Sequence, residues 1–267
     1  MAGTPNSDTD MRIAILGLGE AGSHFARDLA ELGLDLTGWD PNPQRALPTG
    51  FVLASNNAEA VLNADIILSV NLSAVSTEVA REVLPVLRSH QLFLEMNTSA
   101  PSKKMEIAQI LAPSGVQFVD LAIMAPVPPT GIRTTMLAAG PGAALFQEKM
   151  AAYPLQIEVL QDVEIGTAAQ LKLLRSIVYK GIAGVICEAV EAGKAFGQEA
   201  YIREQIRSII GGKDDLIDRF VEGTHKHAIR RLDEMNAVVD MLEEQEMIPL
   251  MSKATRDQLQ KLANKKV

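Results

Sequence analysis

Scarce residue types narrow the class of protein before any motif is considered. Cys187 is the single cysteine among 267 residues, which excludes a disulfide framework and a cysteine-based zinc site. Aromatic residues make up only 4% of the chain, so we expect an aliphatic, alanine-rich core. No run of about 18 apolar residues occurs, and the first ten residues lack a basic region followed by an apolar one. These absences predict a soluble, cytoplasmic protein without a membrane partner.

Positive charge is also in short supply. The formal net charge is −8 at pH 7, and an acidic chain is a poor partner for nucleic acid or an anionic membrane surface. Hydrophobic residues, by contrast, make up 47% of the chain, enough for one large domain or two modest ones. Residues 1–10 are polar and predict a disordered tail.

A glycine-rich motif near the N-terminus carries the strongest functional signal. Gly17, Gly19 and Gly22 fill all three positions of G-x-G-x-x-G, after the apolar run 12–16 and at the start of a predicted helix from Ala21 to Leu32. The first glycine permits a tight turn, the second lets a pyrophosphate approach the backbone, and the third lets the helix pack closely on the strand. The motif therefore predicts a dinucleotide site at the helix N-terminus.

An acidic residue follows at the spacing that the motif requires. A predicted strand from Leu34 to Trp39 ends in Asp40, near the offset of about 20 residues at which a carboxylate accepts from a ribose 2′-hydroxyl. Because a carboxylate repels a 2′-phosphate, Asp40 favours NAD, while Arg45 in the next loop keeps NADP open. The predicted cofactor-binding residues are Gly17, Leu18, Gly19, Glu20, Ala21, Gly22, Asp40, Asn71, Leu72 and Thr98.

Strands and helices alternate up to residue 165, and the second part of the chain is helical. The alternation predicts an α/β fold with a Rossmann doubly wound parallel sheet, in which ligands lie at the carboxyl ends of strands. Residues 11–165 would form this NAD(P)-binding domain, and 166–267 an all-α substrate and dimerisation domain joined to it by a long interdomain helix. Buried-strand signals follow Asp40 at 64–70, 91–95, 116–120 and 156–160.

The long helix, predicted from Thr167 to Phe196, is apolar on most of its circumference. We expect it to be buried between domains or in a subunit interface, which favours a homodimer. Lys172, Ser176 and Tyr179 lie at i, i+4 and i+7 and so share one face. Lys172 is then either a snorkelling or ion-paired structural lysine, or a lysine whose pKa is lowered for proton transfer.

These motifs resemble those of the β-hydroxyacid dehydrogenases, the family of 3-hydroxyisobutyrate dehydrogenase and 6-phosphogluconate dehydrogenase. Residues 17–22 are similar to the family's Gly-Leu-Gly-x-Met-Gly, with Ala21 in place of methionine. Residues 95–101 resemble its Asp-x-Ser-Thr-x-x-Pro loop, and 166–176 its Gly-x-Gly-x-x-x-Lys-x-x-Asn helix start, without the second glycine and the asparagine. The segments 125–129 and 223–235 look like a bacterial subgroup with a phosphogluconate-dehydrogenase-like C-terminal domain.

The resemblance implies an NAD(P)-dependent oxidoreductase that transfers a hydride between a nicotinamide cofactor and a 3-hydroxy acid or sugar acid. Lys172 would be the general acid/base, and Ser176 or Arg175 would replace the hydrogen bonds of the absent asparagine. The family's carboxylate-binding serine corresponds to Met124, where backbone N–H groups could serve instead. The resemblance leaves the substrate, and any accompanying decarboxylation, open.

Three basic residues stand near the C-terminus. His227, Arg230 and Arg231 lie at i, i+3 and i+4, so we expect them on one side of a helix. They would form either an anion clamp for an acidic substrate or a solvated face with an Arg230–Glu234 pair. No metal site is expected, because His225 and His227 would point in different directions. The predicted substrate-binding residues are Met124, Arg175, Tyr179, His227 and Arg231.

Two other classes of protein remain as alternatives. An imine reductase would share the fold, but such relatives carry Asp or Tyr in place of the family lysine, so Lys172 counts against it. A non-catalytic dinucleotide-binding protein is the other, and NAD binding without turnover of 3-hydroxy acids or sugar acids would indicate it.

Overall fold

The computed structural model describes residues 11–43, 45–211 and 214–265. The predicted tail at 1–10 lies outside these residues. The chain divides into two compact units, one extending to Ala169 and the other beginning at Gln170.

The first unit is built on one eight-stranded sheet with the strand order β3-β2-β1-β4-β5-β6-β7-β8. Its strands are β1 Arg12–Leu16, β2 Asp35–Trp39, β3 Val52–Leu53, β4 Ile66–Ser69, β5 Leu92–Glu95, β6 Gln117–Ile123, β7 Met136–Ala139 and β8 Ile157–Val159. Its helices are α1 Glu20–Glu31, α2 Asn57–Val61, α3 Ser76–Val83, α4 Pro101–Leu111 and α5 Ala143–Lys149.

Helices cover both faces of the sheet, which confirms the predicted doubly wound α/β fold. On one face Phe25 of α1 and Phe146 of α5 are buried in an aliphatic cluster. On the other face Val83 of α3 and Ile107 of α4 pack with Phe93 of β5. Strands β4 and β5 are buried along their whole lengths, because continuous apolar runs suit a sheet that is covered on both sides.

One strand departs from the parallel arrangement that the alternation predicts. Strand β7 pairs antiparallel to β6, with Asp120 opposite Ala139 and Ile123 opposite Met136. The connection 124–135 contains only a short 3₁₀ turn, Gly131–Arg133, whereas a parallel crossover usually needs a helix. The proline-rich loop therefore returns the chain directly along the same sheet edge.

The second unit is helical. It contains most of α6 Thr167–Ala195, followed by α7 Glu199–Ile209, α8 Asp214–Lys226, α9 Ala228–Glu244 and α10 Leu250–Asn264. Helix α6 begins at the residue the sequence predicts and ends one residue before Phe196. Within the described residues, no helix is long and apolar enough to cross a membrane.

Helix α6 is not buried on all sides. Leu173 and Ile186 are buried, but an apolar stripe along another face is 40–62% exposed. The expectation of burial within the chain is wrong for this face, and burial in a subunit interface stays a prediction. The exposed residues of the stripe are Leu171, Leu174, Val178, Ile182 and Val185.

Candidate functional site

Each of the three positions after β1 is occupied by glycine for a different structural reason. Gly17 has a φ of +100°, and a Cβ there would lie 2.7 Å from the Cα of Asn71. A Cβ on Gly22 would lie 1.9 Å from the carbonyl oxygen of Gly17. A Cβ on Gly19 would meet no described atom within 4 Å. Turn and packing thus fix the outer glycines, and the middle one leaves the backbone open to a ligand, as a pyrophosphate site needs.

Asp40 is joined to the glycine loop directly. The Leu18 N–H donates to Asp40 Oδ2 at 2.8 Å, and the Asn42 N–H donates to Oδ1 at 2.8 Å. Sequence reasoning assigned this carboxylate to the ribose and missed its role in holding the loop. Each carboxylate oxygen can accept more than one hydrogen bond, so a ribose hydroxyl fits the same group.

The remaining predicted cofactor residues follow neighbouring strands. Glu20 and Ala21 begin α1 directly after the loop. Asn71 and Leu72 follow β4, and Thr98 follows β5, which pairs with β4 in parallel. Leu72 is 68% exposed, whereas Asn71 and Thr98 are half-buried. The structure therefore gathers these residues at the carboxyl ends of β1, β4 and β5, where ligands of such sheets lie.

Met124 lies just after β6, and its groups are already engaged. Its N–H donates to the carbonyl oxygen of Thr135 at 2.9 Å. Its side chain packs against a small cluster that includes Leu137 and Ala168. The backbone N–H at this position is therefore bonded within the sheet and not directed at a ligand.

A polar cluster lies among α6, α8 and α9 in the second unit. Lys180 Nζ is 2.9 Å from Glu234 Oε2, and both side chains are nearly buried. The hydroxyl of Ser176 donates to the same oxygen at 3.4 Å. Ser176 of the predicted polar face and the neighbouring Lys180 thus meet one carboxylate of α9.

Three positive side chains surround the ring of Tyr179. The Nζ atom of Lys180 is 4.9 Å from the ring centroid, and the guanidinium carbons of Arg175 and Arg231 are 5.7 and 5.9 Å away. The ring of Phe220 packs edge-on at 5.0 Å. Cations over an aromatic face are attracted to its negative potential, so the ring helps to hold positive charges that repel one another.

Arg231 is the most buried of these cations, with 7% of its surface exposed. Its Nη1 donates to the hydroxyl of Thr224, and a Cβ on Gly223 would lie 3.1 Å from its Nη2. Glycine at 223 therefore makes room for the guanidinium. The Thr224 hydroxyl is a neutral partner, and the charge of Glu234 also acts on the guanidinium.

The pKa values of the cluster reflect burial and the positive charges near it. Burial raises the pKa of Glu234, but the charges of Lys180 and Lys172 outweigh it and hold the pKa below its usual value. Burial, with the nearby charges of Arg231 and Arg230, lowers the pKa of Lys180 despite its bond to Glu234. Burial also lowers the pKa of Arg231.

The expected single helix around His227 is wrong. Helix α8 ends at Lys226 and α9 begins at Ala228, with His227 as the N-cap residue at φ −115° and ψ 28°. Arg230 is exposed and Arg231 is buried, so the basic residues do not share one environment. Glu234 is buried and ion-paired with Lys180, so it is not part of a solvated face, and the charge of Arg230 also acts on it.

Sequence reasoning missed Glu234 and Thr224 as members of the cluster. A usable signal existed in α9, where Arg231 and Glu234 interrupt an otherwise apolar face that includes Leu232 and Met235. Charged residues on such a face need partners. Within the described residues, no group of three or more His, Cys, Asp or Glu side chains could hold a metal ion.

Comparison with known proteins places the chain in a family. The profile described as the NAD binding domain of 6-phosphogluconate dehydrogenase matches residues 12–147. The chain belongs to this family. Residues 195–262 match a domain of unknown function. A 28.5 kDa uncharacterised protein of Methanothermus fervidus is 25% identical over 254 residues, covering 92% of this chain and 97% of the relative.

Solved structures share the fold over nearly the whole chain. The 3-hydroxyisobutyrate dehydrogenase of Mycobacterium tuberculosis, solved with L-serine, has a TM-score of 0.76 at 17% identity and covers 95% of this chain and 94% of its own. An imine reductase from a Pseudomonas species has a TM-score of 0.62 at 21% identity, with coverages of 94% and 93%. These likenesses establish a fold of the 3-hydroxyisobutyrate dehydrogenase type.

Proposed function

We propose that this protein is an NAD-dependent dehydrogenase of a small hydroxy acid, acting at the hydroxyl-bearing carbon. The observation that carries the proposal is the pairing of a dinucleotide loop in the first unit with the cation-rich cluster in the second. The loop supports binding of a nicotinamide cofactor, and the cluster supports binding of an acidic substrate. Family membership supports the same class of reaction.

The glycine loop and Asp40 are the residues that would hold the cofactor. The open backbone at Gly19 fits a pyrophosphate, and the Asp40 carboxylate fits a ribose 2′-hydroxyl better than a 2′-phosphate. NAD is therefore the proposed cofactor, with NADP as the alternative. When bound, it supplies the hydride acceptor for the carbon that carries the substrate hydroxyl.

Lys172 is the proposed general acid/base. Its charge acts on Glu234, and its side chain is half-buried, so it lies within the cationic cluster of the second unit. There it would take the proton from the substrate hydroxyl during oxidation and return it during reduction. Ser176, bonded to Glu234, would hydrogen-bond the substrate.

An anionic substrate fits the charges of this cluster. Arg231 would bind the carboxylate or phosphate by charge-assisted hydrogen bonds, with Arg175, Tyr179 and His227 around it. The Mycobacterium tuberculosis enzyme was solved with L-serine, a molecule with both a carboxylate and a 3-hydroxyl group. A 3-hydroxy acid or a sugar acid has the same two features.

The experiment that tests this function is NAD reduction by the purified protein with a panel of 3-hydroxy acids and sugar acids. On the best substrate, Lys172→Ala should lower kcat by about 10²–10⁴-fold, the usual contribution of a general acid or base. Lys194→Ala is the matched control, because Lys194 is an exposed lysine on the same helix. A kcat of Lys172→Ala within a few-fold of wild type would remove the assignment.

Imine reduction is the second candidate, because an imine reductase shares the fold. NADPH oxidation with cyclic imines, and no turnover of hydroxy acids, would favour it. NAD binding without any turnover would instead indicate a non-catalytic dinucleotide-binding protein.

We also propose a homodimer that covers the exposed apolar stripe of α6. Elution at the monomer mass in gel filtration would contradict it. A cytoplasmic location stays a prediction.

A further inference from the structure

A network of charged and amide side chains is buried beneath the predicted cofactor loops of the first unit. Glu95, Lys104 and Asp120 are each 0–1% exposed. Lys104 Nζ donates to the Glu95 carboxylate and, at 2.8 Å, to the Glu95 backbone carbonyl. The same Nζ atom is 3.5 Å from Asp120 Oδ1. Such a cluster needs explanation, because well-packed apolar residues often stabilise a core equally well.

Both carboxylates of this network have positive partners, although Asp120 Oδ1, 3.5 Å from Lys104 Nζ, accepts no hydrogen bond from the described residues. Glu95 is neutralised by Lys104. Asp120 Oδ2 accepts from the N–H groups of Gly166 at 3.0 Å and Ala169 at 3.1 Å, at the start of α6. A helix N-terminus carries about half a positive charge, so Asp120 is stabilised by α6 as well as by Lys104. At its Asp120 end, the network is thus fixed to the first turn of this helix.

At its other end, the network reaches the glycine loop through Asn97 and Asn71. The Nδ2 group of Asn97 donates to Glu95 Oε1 and, at 3.0 Å, to Asn71 Oδ1. The Nδ2 group of Asn71 in turn donates to the hydroxyl of Ser69 at 3.2 Å. Asn71 is also the residue against which Gly17 packs. The Asn97 amide therefore has two partners, Glu95 in the buried network and Asn71 in the cofactor loop.

We propose that Asn97 and Glu95 are positioning residues for the dinucleotide: they hold Asn71 against Gly17 and so set the shape of the cofactor loops. The proposal rests on the proposed NAD-binding function. Asn97 acts through Asn71, and Glu95 acts through Asn97. Lys104 is bonded to the other oxygen of the Glu95 carboxylate and so fixes it, leaving Oε1 to accept from the Asn97 amide.

The sharpest variant is Asn97→Asp, which keeps the shape of the side chain but replaces its two N–H donors by an acceptor. At neutral pH we expect the Kd for NAD, measured by titration calorimetry, to rise about tenfold, the effect of losing one hydrogen bond to a charged group. As pH falls, the new carboxyl takes up a proton next to Glu95 and donates again. Affinity should therefore recover toward that of wild type at the same pH.

Two further variants separate positioning from simple stability. Asn97→Ala should show the loss at neutral pH without the recovery, because it cannot be protonated. Asn57→Asp is the matched control: Asn57 is also buried and donates to a carboxylate, Glu82 Oε2, at 2.8 Å. It should lower the melting temperature without changing the Kd for NAD. If the Asn97 variants do not fold, Ser69→Ala removes the hydroxyl that holds Asn71 and should raise the Kd in the same direction.

The outcomes are distinguishable. Folded Asn97 variants, or Ser69→Ala in their place, that bind NAD as wild type does would overturn the positioning role. An equal loss in Asn57→Asp would do the same, since it would show that destabilisation alone weakens binding. Wild-type protein that does not bind NAD or NADP would overturn the proposed function instead.

Discussion

The two compact units both bury charged side chains, but they balance those charges differently. In the first unit, Glu95 and Asp120 are matched by Lys104 and the N-terminus of α6. In the second, Glu234 is the carboxylate bonded to Lys180, and the charges of Lys172, Arg230 and Arg231 act on the same pair. A balanced cluster has no charge to offer a ligand and serves to hold backbone in place. The several cations near Glu234 are the reason for proposing the second cluster as the site of an anionic substrate.

The largest expected effect is on the balanced cluster. Lys104→Met leaves the buried carboxyl groups of Glu95 and Asp120 without their shared lysine, so it should lower the free energy of unfolding by about 3–5 kcal/mol. Lys180→Met should cost less than half of that, because other cations remain near Glu234. Urea unfolding of both variants measures the difference. Equal losses would mean that the two clusters are balanced in the same way.

The next effect tests which ligand each unit binds. Arg231→Met should raise the KM for an acidic substrate by roughly 10–100-fold, because charge-assisted hydrogen bonds contribute about 1.5–3 kcal/mol. The Kd for NAD should stay the same, the opposite of the Asn97 variants. Arg219→Met is the control, since Arg219 is an exposed arginine of α8 in the same unit. A change in NAD affinity with no change in KM would reverse the assignment of the two clusters.

The smallest effect is a pH dependence of stability. The pKa of Glu234 is lower in the folded protein than its ordinary value of 4.5, since nearby lysines outweigh the effect of burial. Its ionised form therefore stabilises the fold above about pH 4.5, and this contribution is lost as pH falls through the lower folded pKa. The difference in unfolding free energy between wild type and Glu234→Gln should shrink in acid. The exposed Glu222→Gln should leave the wild-type pH profile unchanged.

Local patterns predicted much of the first unit. The glycine spacing placed the cofactor loop, and Pro101 at the first position of α4 marked that helix, which the structure gives as Pro101–Leu111. Strand β3 was not predicted, because Val52 and Leu53 are an exposed pair at the sheet edge without the buried run that signals a strand. The antiparallel direction of β7 depends on how the loop 124–135 folds back, which composition does not encode.

The sequence by itself predicted the local features: a dinucleotide loop, an acid at the spacing that a ribose requires, and a lysine on one polar helix face. Periodicity and turn chemistry act over a few residues, so a single sequence reveals them. Only the tertiary structure decided the partners. It joined Lys180 of α6 to Glu234 of α9, buried Arg231 beside Thr224, and connected Asn71 through Asn97 and Glu95 to Lys104. Lys180 and Glu234 are 54 positions apart and Asn71 and Asn97 are 26 apart, and such pairings follow from packing rather than from local sequence.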